Sequence, residues 1–132
     1  MIVREALVAD PRVLQADAPA REVAAVLAKP NVVHVFVMDG DRLVGSVGED
    51  GIVAAVAQGR DLRELTARDL ADPDVPAVDP ETPLDEALVL MGERGLERVA
   101  VVENGRLLGV LAREPVVRRL AEDEPPPDQQ QV

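Results

Sequence analysis

Arg98 to Leu120 reads RVAVVENGRLLGVLAREPVVRRL, and a nearly matching stretch, HVFVMDGDRLVGSVGEDGIVAAV, runs from His34 to Val56, 64 residues earlier. In the later copy Val99, Val101 and Val102 are β-branched. Asn104-Gly105 is the dipeptide that favours a two-residue type I′ turn, and Leu107, Leu108, Val110 and Leu111 restart an apolar run, so the stretch reads as a β-hairpin. A helix follows with Glu114 and Pro115 in its first turn, where a missing N–H costs nothing, and with Val116, Val117 and Leu120 spaced for one apolar stripe. Each copy therefore ends strand, turn, strand, helix.

Outward from this stretch the match continues without a gap. At the same offset Pro19 meets Pro83, Glu22 meets Glu86, Val35 meets Val99, Arg42 meets Arg106 and Gly45 meets Gly109. A helix is expected from Pro19, with Val23, Val26 and Leu27 on one face, and its repeat from Pro83 to Glu93, with Thr82 as N-cap and Gly95 as the left-handed exit. Arg12 to Gln15 suits a short strand. At the start, Val3, Ala6 and Leu7 give a lead-in with helical spacing, broken at Asp10-Pro11. The bridge TARDLADPDV echoes the opening VREALVADPRV, two residues out of step with the main offset. The expected class is α/β (α+β), with two β-α-β-β-α units that cannot each bury a face alone and so pack as a pseudo-two-fold pair. The units divide as 1–59, including the lead-in, and 60–121, with the acidic, proline-containing 122–132 as a disordered tail.

Composition excludes several classes of function. Fourteen basic against twenty-five acidic residues give a net charge of −11, which opposes the phosphate neutralisation that nucleic-acid binding needs. With Phe36 as the one aromatic there are no base-stacking platforms or aromatic cages. Zero Cys removes disulfides, thiol catalysis and cysteine zinc sites, and fits a reducing compartment. No run approaches the ~18 apolar residues of a membrane span and no secretory leader is legible, so the expectation is a cytoplasmic protein without a membrane partner. One His, a single Ser (Ser46, in a strand) and a glycine-rich Gly45–Gly51 without the Lys-Ser/Thr of a P-loop leave little for an enzyme to work with.

The ordered pattern of a helix shortly after a Pro, an apolar strand ending in an acidic residue, a turn, an Arg-Leu-h-Gly strand (h, apolar) and a helix resembles the cystathionine-β-synthase-type (CBS) domain. It is present twice, as in a CBS pair or Bateman module, and covers about residues 1–121. The resemblance implies regulatory binding of AMP, ADP, ATP or S-adenosylmethionine in clefts between the units, no chemistry of its own, no required cofactor or metal, and a homodimer. Ligand-binding members often carry Thr or Ser after the Gly-h-h of the last strand and an Asp three residues later, touching phosphate and ribose. Here Gly48 and Gly51 stand at those positions in the first copy, and Ala112 and Pro115 in the second, with Asp50 and Glu114 one position early. A one-residue slip turns a helical side chain by about 100°.

Where nucleotide-sensing members place a basic group before the apolar end of the second strand, this chain has His34 and Arg98. Arg offers a rigid fork of donors for phosphate, and His does so when protonated. The helix starts near Gly48 and Ala112 add backbone N–H groups and a positive dipole end. The candidate ligand contacts are thus His34, Gly48, Asp50, Arg98, Ala112 and Glu114. Beside this stands a plainer reading. His34 and Arg98 are then the polar side of half-exposed strands, Gly45 and Gly109 mark a bulge or tight crossing, Asp39, Asp41 and Glu103 serve turn chemistry, and the pair is a dimerisation or docking element for an effector protein.

Overall fold

The computed structural model describes residues 1–8 and 12–123; the Asp10-Pro11 break and residues 124–132 of the expected tail lie outside them. The elements follow in order as β1 (Val13–Gln15), α1 (Ala20–Leu27), β2 (His34–Asp39), β3 (Arg42–Gly48), α2 (Glu49–Ala57), α3 (Ala67–Leu70), β4 (Ala77–Val78), α4 (Leu84–Arg94), β5 (Arg98–Glu103), β6 (Arg106–Ala112) and α5 (Arg113–Asp123). Short 3₁₀ turns occupy Val3–Glu5 and Leu62–Glu64. The twofold β-α-β-β-α order is the one the repeat implies. α5 runs two residues past the expected limit of the second unit. Among the described residues no helix is long and apolar enough to cross a membrane.

All six strands join one sheet in the order β1-β2-β3-β6-β5-β4. β1 and β4 pair in parallel with β2 and β5, and the hairpins β2–β3 and β5–β6 are antiparallel. The hairpins meet at the single pair Arg42↔Arg106, fixed by Leu43 N–H to the Gly105 carbonyl at 3.0 Å and Leu107 N–H to the Asp41 carbonyl at 3.4 Å. These bonds exchange under the 64-residue offset, so a pseudo-two-fold axis passes between them. At the second hairpin tip Asn104 (φ 53°) and Gly105 (φ 82°) are both left-handed, as a type I′ turn requires. At the first, only Gly40 is (φ 65°).

Two apolar clusters form, one per repeat. The first gathers Ala16, Ala18, Ala20, Val23, Val37, Val47 and Ala55. The second gathers Val78, Leu84, Ala87, Met91, Val99, Val101, Leu111 and Val116. Each is completed by residues from before the other repeat: Leu65, Ala67 and Leu70 enter the first cluster, and Val3 the second, where it is fully buried. The lead-in, which belongs to the first unit in chain order, thus packs on the second. Val3 N–H donates to the Thr82 carbonyl (2.9 Å), Arg4 N–H to that of Pro80 (2.9 Å), and Val8 exchanges both backbone bonds with Val110. Reciprocally, Ala67 N–H donates to Ala18 O (2.8 Å), Arg68 N–H to Ala16 O (3.0 Å), and Asp72 exchanges both bonds with Ser46.

The crossing also corrects the two-residue slip. Ile2–Val8 and Thr66–Asp72 are equivalent at the full offset of 64, and only the likeness of Ala9-Asp10-Pro11 to Ala71-Asp72-Pro73, at 62, is out of step. Two further expectations change. Pro83, not Thr82, is the N-cap of α4, because the Thr82 carbonyl is engaged by the lead-in. Val116 and Val117 do not share a stripe: Val116 is buried and Val117 is 51% exposed, as neighbours about 100° apart on a helix must be.

Candidate functional site

The equivalent ends of β3 and β6 carry the six candidate residues. His34, first in β2, lies opposite Gly48, last in β3 and N-cap of α2. A Cβ on Gly48 would sit 2.9 Å from Asp50 Oδ1 and 3.1–3.2 Å from the His34 ring, so the three residues converge. Asp50 accepts the Gly51 N–H at 3.1 Å. His34 and Asp50 are exposed while Gly48 is buried, and no hydrogen bond joins the two side chains among the described residues. Gly51, in the first turn of α2, faces the Leu70 carbonyl at 3.5 Å from its Cβ position, so part of the wall comes from the crossing segment.

The second repeat builds the same place differently. Arg98 lies opposite Ala112, is exposed, and has no ion-pair partner among the described residues. Arg113 N–H donates to the Glu97 carbonyl at 2.8 Å, its guanidinium lies 3.8 Å from Glu97, and Glu114 accepts from Arg118 at 3.2 Å. Glu114 is thereby turned along α5 toward Arg118. The charged groups here are three arginines against two glutamates, whereas the first repeat offers His34 with Glu49 and Asp50.

β3 and β6 run in opposite directions from Arg42↔Arg106, so Gly48 and Ala112 end at opposite sides of the sheet. The six residues form two separate groups of three. An open depression of about 390 Å³ beside Glu114 is lined by Glu97, Arg113, Glu114, Val117 and Arg118, and includes neither Arg98 nor Ala112. A second, of about 500 Å³, lies between β1 and the start of α1 over Val13, Leu14, Gln15, Asp17, Ala18, Pro19 and Glu22, and includes none of the six. That surface was not anticipated; its one signal in the sequence is the short strand followed by Pro19.

Gly45 and Gly109 serve the chain crossing. A Cβ on Gly45 would meet the Asp72 carbonyl at 2.7 Å and Ala71 Cβ at 2.8 Å; one on Gly109 would meet Leu7 Cδ1 at 2.5 Å and the Val8 carbonyl at 2.6 Å. Both also sit at a register shift of their hairpin, so the bulge and tight-crossing readings hold together. Asp39, Asp41 and Glu103 hold cations: Asp39 with Arg68 (3.1 Å), Asp41 with Arg106 (3.0 Å), and Glu103 with Arg4 (3.0 Å). Arg4 also binds Glu81 (2.8 Å), and that hydrogen bond, followed by the charges of Glu81 and Glu103, raises its pKa further. Among the described residues no His, Cys, Asp and Glu cluster could hold a metal ion, and no buried side-chain polar atom lacks a partner.

Comparison with known proteins finds the CBS domain family twice, over residues 3–58 and 67–122. Hypoxic response protein 1 of Mycobacterium tuberculosis is 33% identical over 85 residues, 64% of this chain and 59% of that protein. The chain spans about half the length of the curated relatives it matches, 44% and 59% for the first two. Among solved structures, CBSX2 in complex with AMP superposes with a TM-score of 0.76 at 23% identity, covering 92% of this chain and 97% of that one. The CBS domain pair of MJ0100, in complex with 5′-methylthioadenosine and S-adenosyl-L-methionine, superposes with a TM-score of 0.69 at 22% identity, covering 94% and 98%.

Proposed function

The chain belongs to the CBS-domain family as a tandem pair, and from that premise we propose that it is a regulatory module that takes an adenosyl ligand (AMP, ADP, ATP or S-adenosylmethionine) beside the helix starts of its two repeats and passes its state to an effector protein. The observation that carries the reading is Arg98, an exposed guanidinium with no ion-pair partner among the described residues, opposite Ala112 at the start of the eleven-residue α5. Two superposing proteins hold adenosyl compounds, AMP in one and methylthioadenosine with S-adenosylmethionine in the other, which fits the ligand class. The module binds without transforming: the residues at the two helix starts, Gly48 to Asp50 and Ala112 to Glu114, include no hydroxyl or thiol, and the family match is to a regulatory domain.

For a phosphate-bearing ligand the grip is on the phosphate. No side-chain carboxylate stands at Gly51 or Pro115 to hold a ribose, so a ligand held mainly by its sugar binds poorly. Loss of a charged hydrogen bond costs about 1.5–3 kcal/mol, roughly ten- to a hundred-fold in affinity. Arg98→Ala should therefore weaken AMP by that factor and leave adenosine unchanged in calorimetry. Equal losses for both ligands, or none, move the site away from Arg98, and no heat from any adenosyl compound with the wild type ends the ligand reading.

A second reading has its own support. Val53 and Val56 on α2, Val89 on α4 and Val117 on α5 are 51–59% exposed, which suits a pair that works as a homodimer or a docking element without ligand.

A further inference from the structure

Each repeat is closed by a segment continuous in sequence with the edge strand of the other. Thr66–Asp72 is bonded to the first repeat at Ala16, Ala18 and Ser46, and five residues after Asp72 the chain enters β4 of the second. Ile2–Val8 is bonded to the second repeat at Pro80, Thr82 and Val110, and five residues after Val8 the chain enters β1 of the first. The ion pairs repeat the arrangement: Arg68 binds Asp39 of the first hairpin, and Arg4 binds Glu103 of the second. Both segments are held at their start by the same device, a carboxylate accepting the backbone N–H three residues before it, Glu5 from Ile2 (2.8 Å) and Asp69 from Thr66 (2.9 Å).

We propose that the crossing segment Thr66–Asp72 couples the repeats, so that a displacement of β3 in the first is delivered to β4 of the second. Contact is tight where delivery must occur. Gly45 leaves no room for a Cβ beneath Asp72, and Gly109 none beneath Leu7 and Val8, so either strand moves only if its crossing segment moves with it. β4 has only two residues, and its main-chain partner is β5 alone, so it has little with which to resist. The coupling needs no ligand and stands apart from the ligand reading.

Hydrogen exchange with mass spectrometry on the full chain tests this. Gly45→Ala forces the Asp72 backbone outward and should speed exchange at Ala77–Val78 and along β5 by about tenfold or more, sparing the C-terminal half of α4. Gly92→Ala, whose Cβ meets nothing within 4 Å, is the control: it should leave Ala77–Val78 and β5 unchanged and, as a Gly→Ala change inside a helix, slow exchange only within α4. If Gly45→Ala does not fold, Asp69→Asn loosens the same segment from its exposed end and should give the same pattern at smaller amplitude. Acceleration that stops at Asp72, or that spreads evenly over the chain including the end of α4, overturns the proposal.

Discussion

At the residue scale, single side chains at segment ends decide how the chain crosses. Asp69 accepts both the backbone N–H (2.9 Å) and the hydroxyl (3.1 Å) of Thr66, and these bonds, the backbone one first, hold its carboxyl below the usual aspartate range. A carboxylate depressed in the folded state contributes stability above its unfolded pKa, near 3.9, and loses it as the pH falls through the folded value. Asp69→Asn keeps an acceptor but loses the charge. It should melt below wild type at pH 7, with the difference shrinking as the pH falls below about 4. A constant difference down to about pH 2.5 in circular-dichroism melts would mean that the charge contributes nothing.

At the element scale, the two first helices solve one packing problem with different volumes. Ala20, Val23 and Leu27 of α1 stand where α4 has Leu84, Ala87 and Met91. The large residues moved to the ends of the face in the second repeat, where Leu84 and Met91 are fully buried, while Leu27 is only partly so. Truncation should follow burial. Met91→Ala should cost about 2–5 kcal/mol, because the cavity is enclosed, and Leu27→Ala should fall at or below the bottom of that range. Urea unfolding of the two variants compares them directly; a larger loss at Leu27 would place the tighter core in the first repeat.

At the scale of the whole molecule, the exposed valines bear on assembly. Val53 on α2 and Val117 on α5 are 64 residues apart and hold equivalent places, and Val56 continues the α2 face one turn on. A face repeated by pseudo-symmetry suits an isologous contact with a second copy. Light scattering at about ten to fifty micromolar should give twice the 14.1 kDa chain mass, and Val53→Asp with Val117→Asp should return it to the single mass. A single-chain mass for the wild type would reject the dimer.

The repeat, the hairpins, the helices and the family were legible in the residues, because strand alternation, Asn104-Gly105 and the offset of 64 are local or periodic signals that need no knowledge of distant contacts. The convergence of His34 with Gly48 and Asp50 was not legible there, since it depends on a turn at Gly40-Asp41 and a one-residue bulge that set which ends of β2 and β3 meet. Tertiary structure alone decided that the lead-in closes the second repeat and Thr66–Asp72 the first, and that Gly45 and Gly109 are spared a side chain for that crossing. The physical reason is that Ile2–Val8 and Thr66–Asp72 are each seven residues long, too short to bury an apolar face without a partner from elsewhere in the chain. Which core receives Val3 or Leu70 depends on where the pseudo-two-fold axis brings an unfilled space, and that axis exists only once both hairpins have met at Arg42 and Arg106.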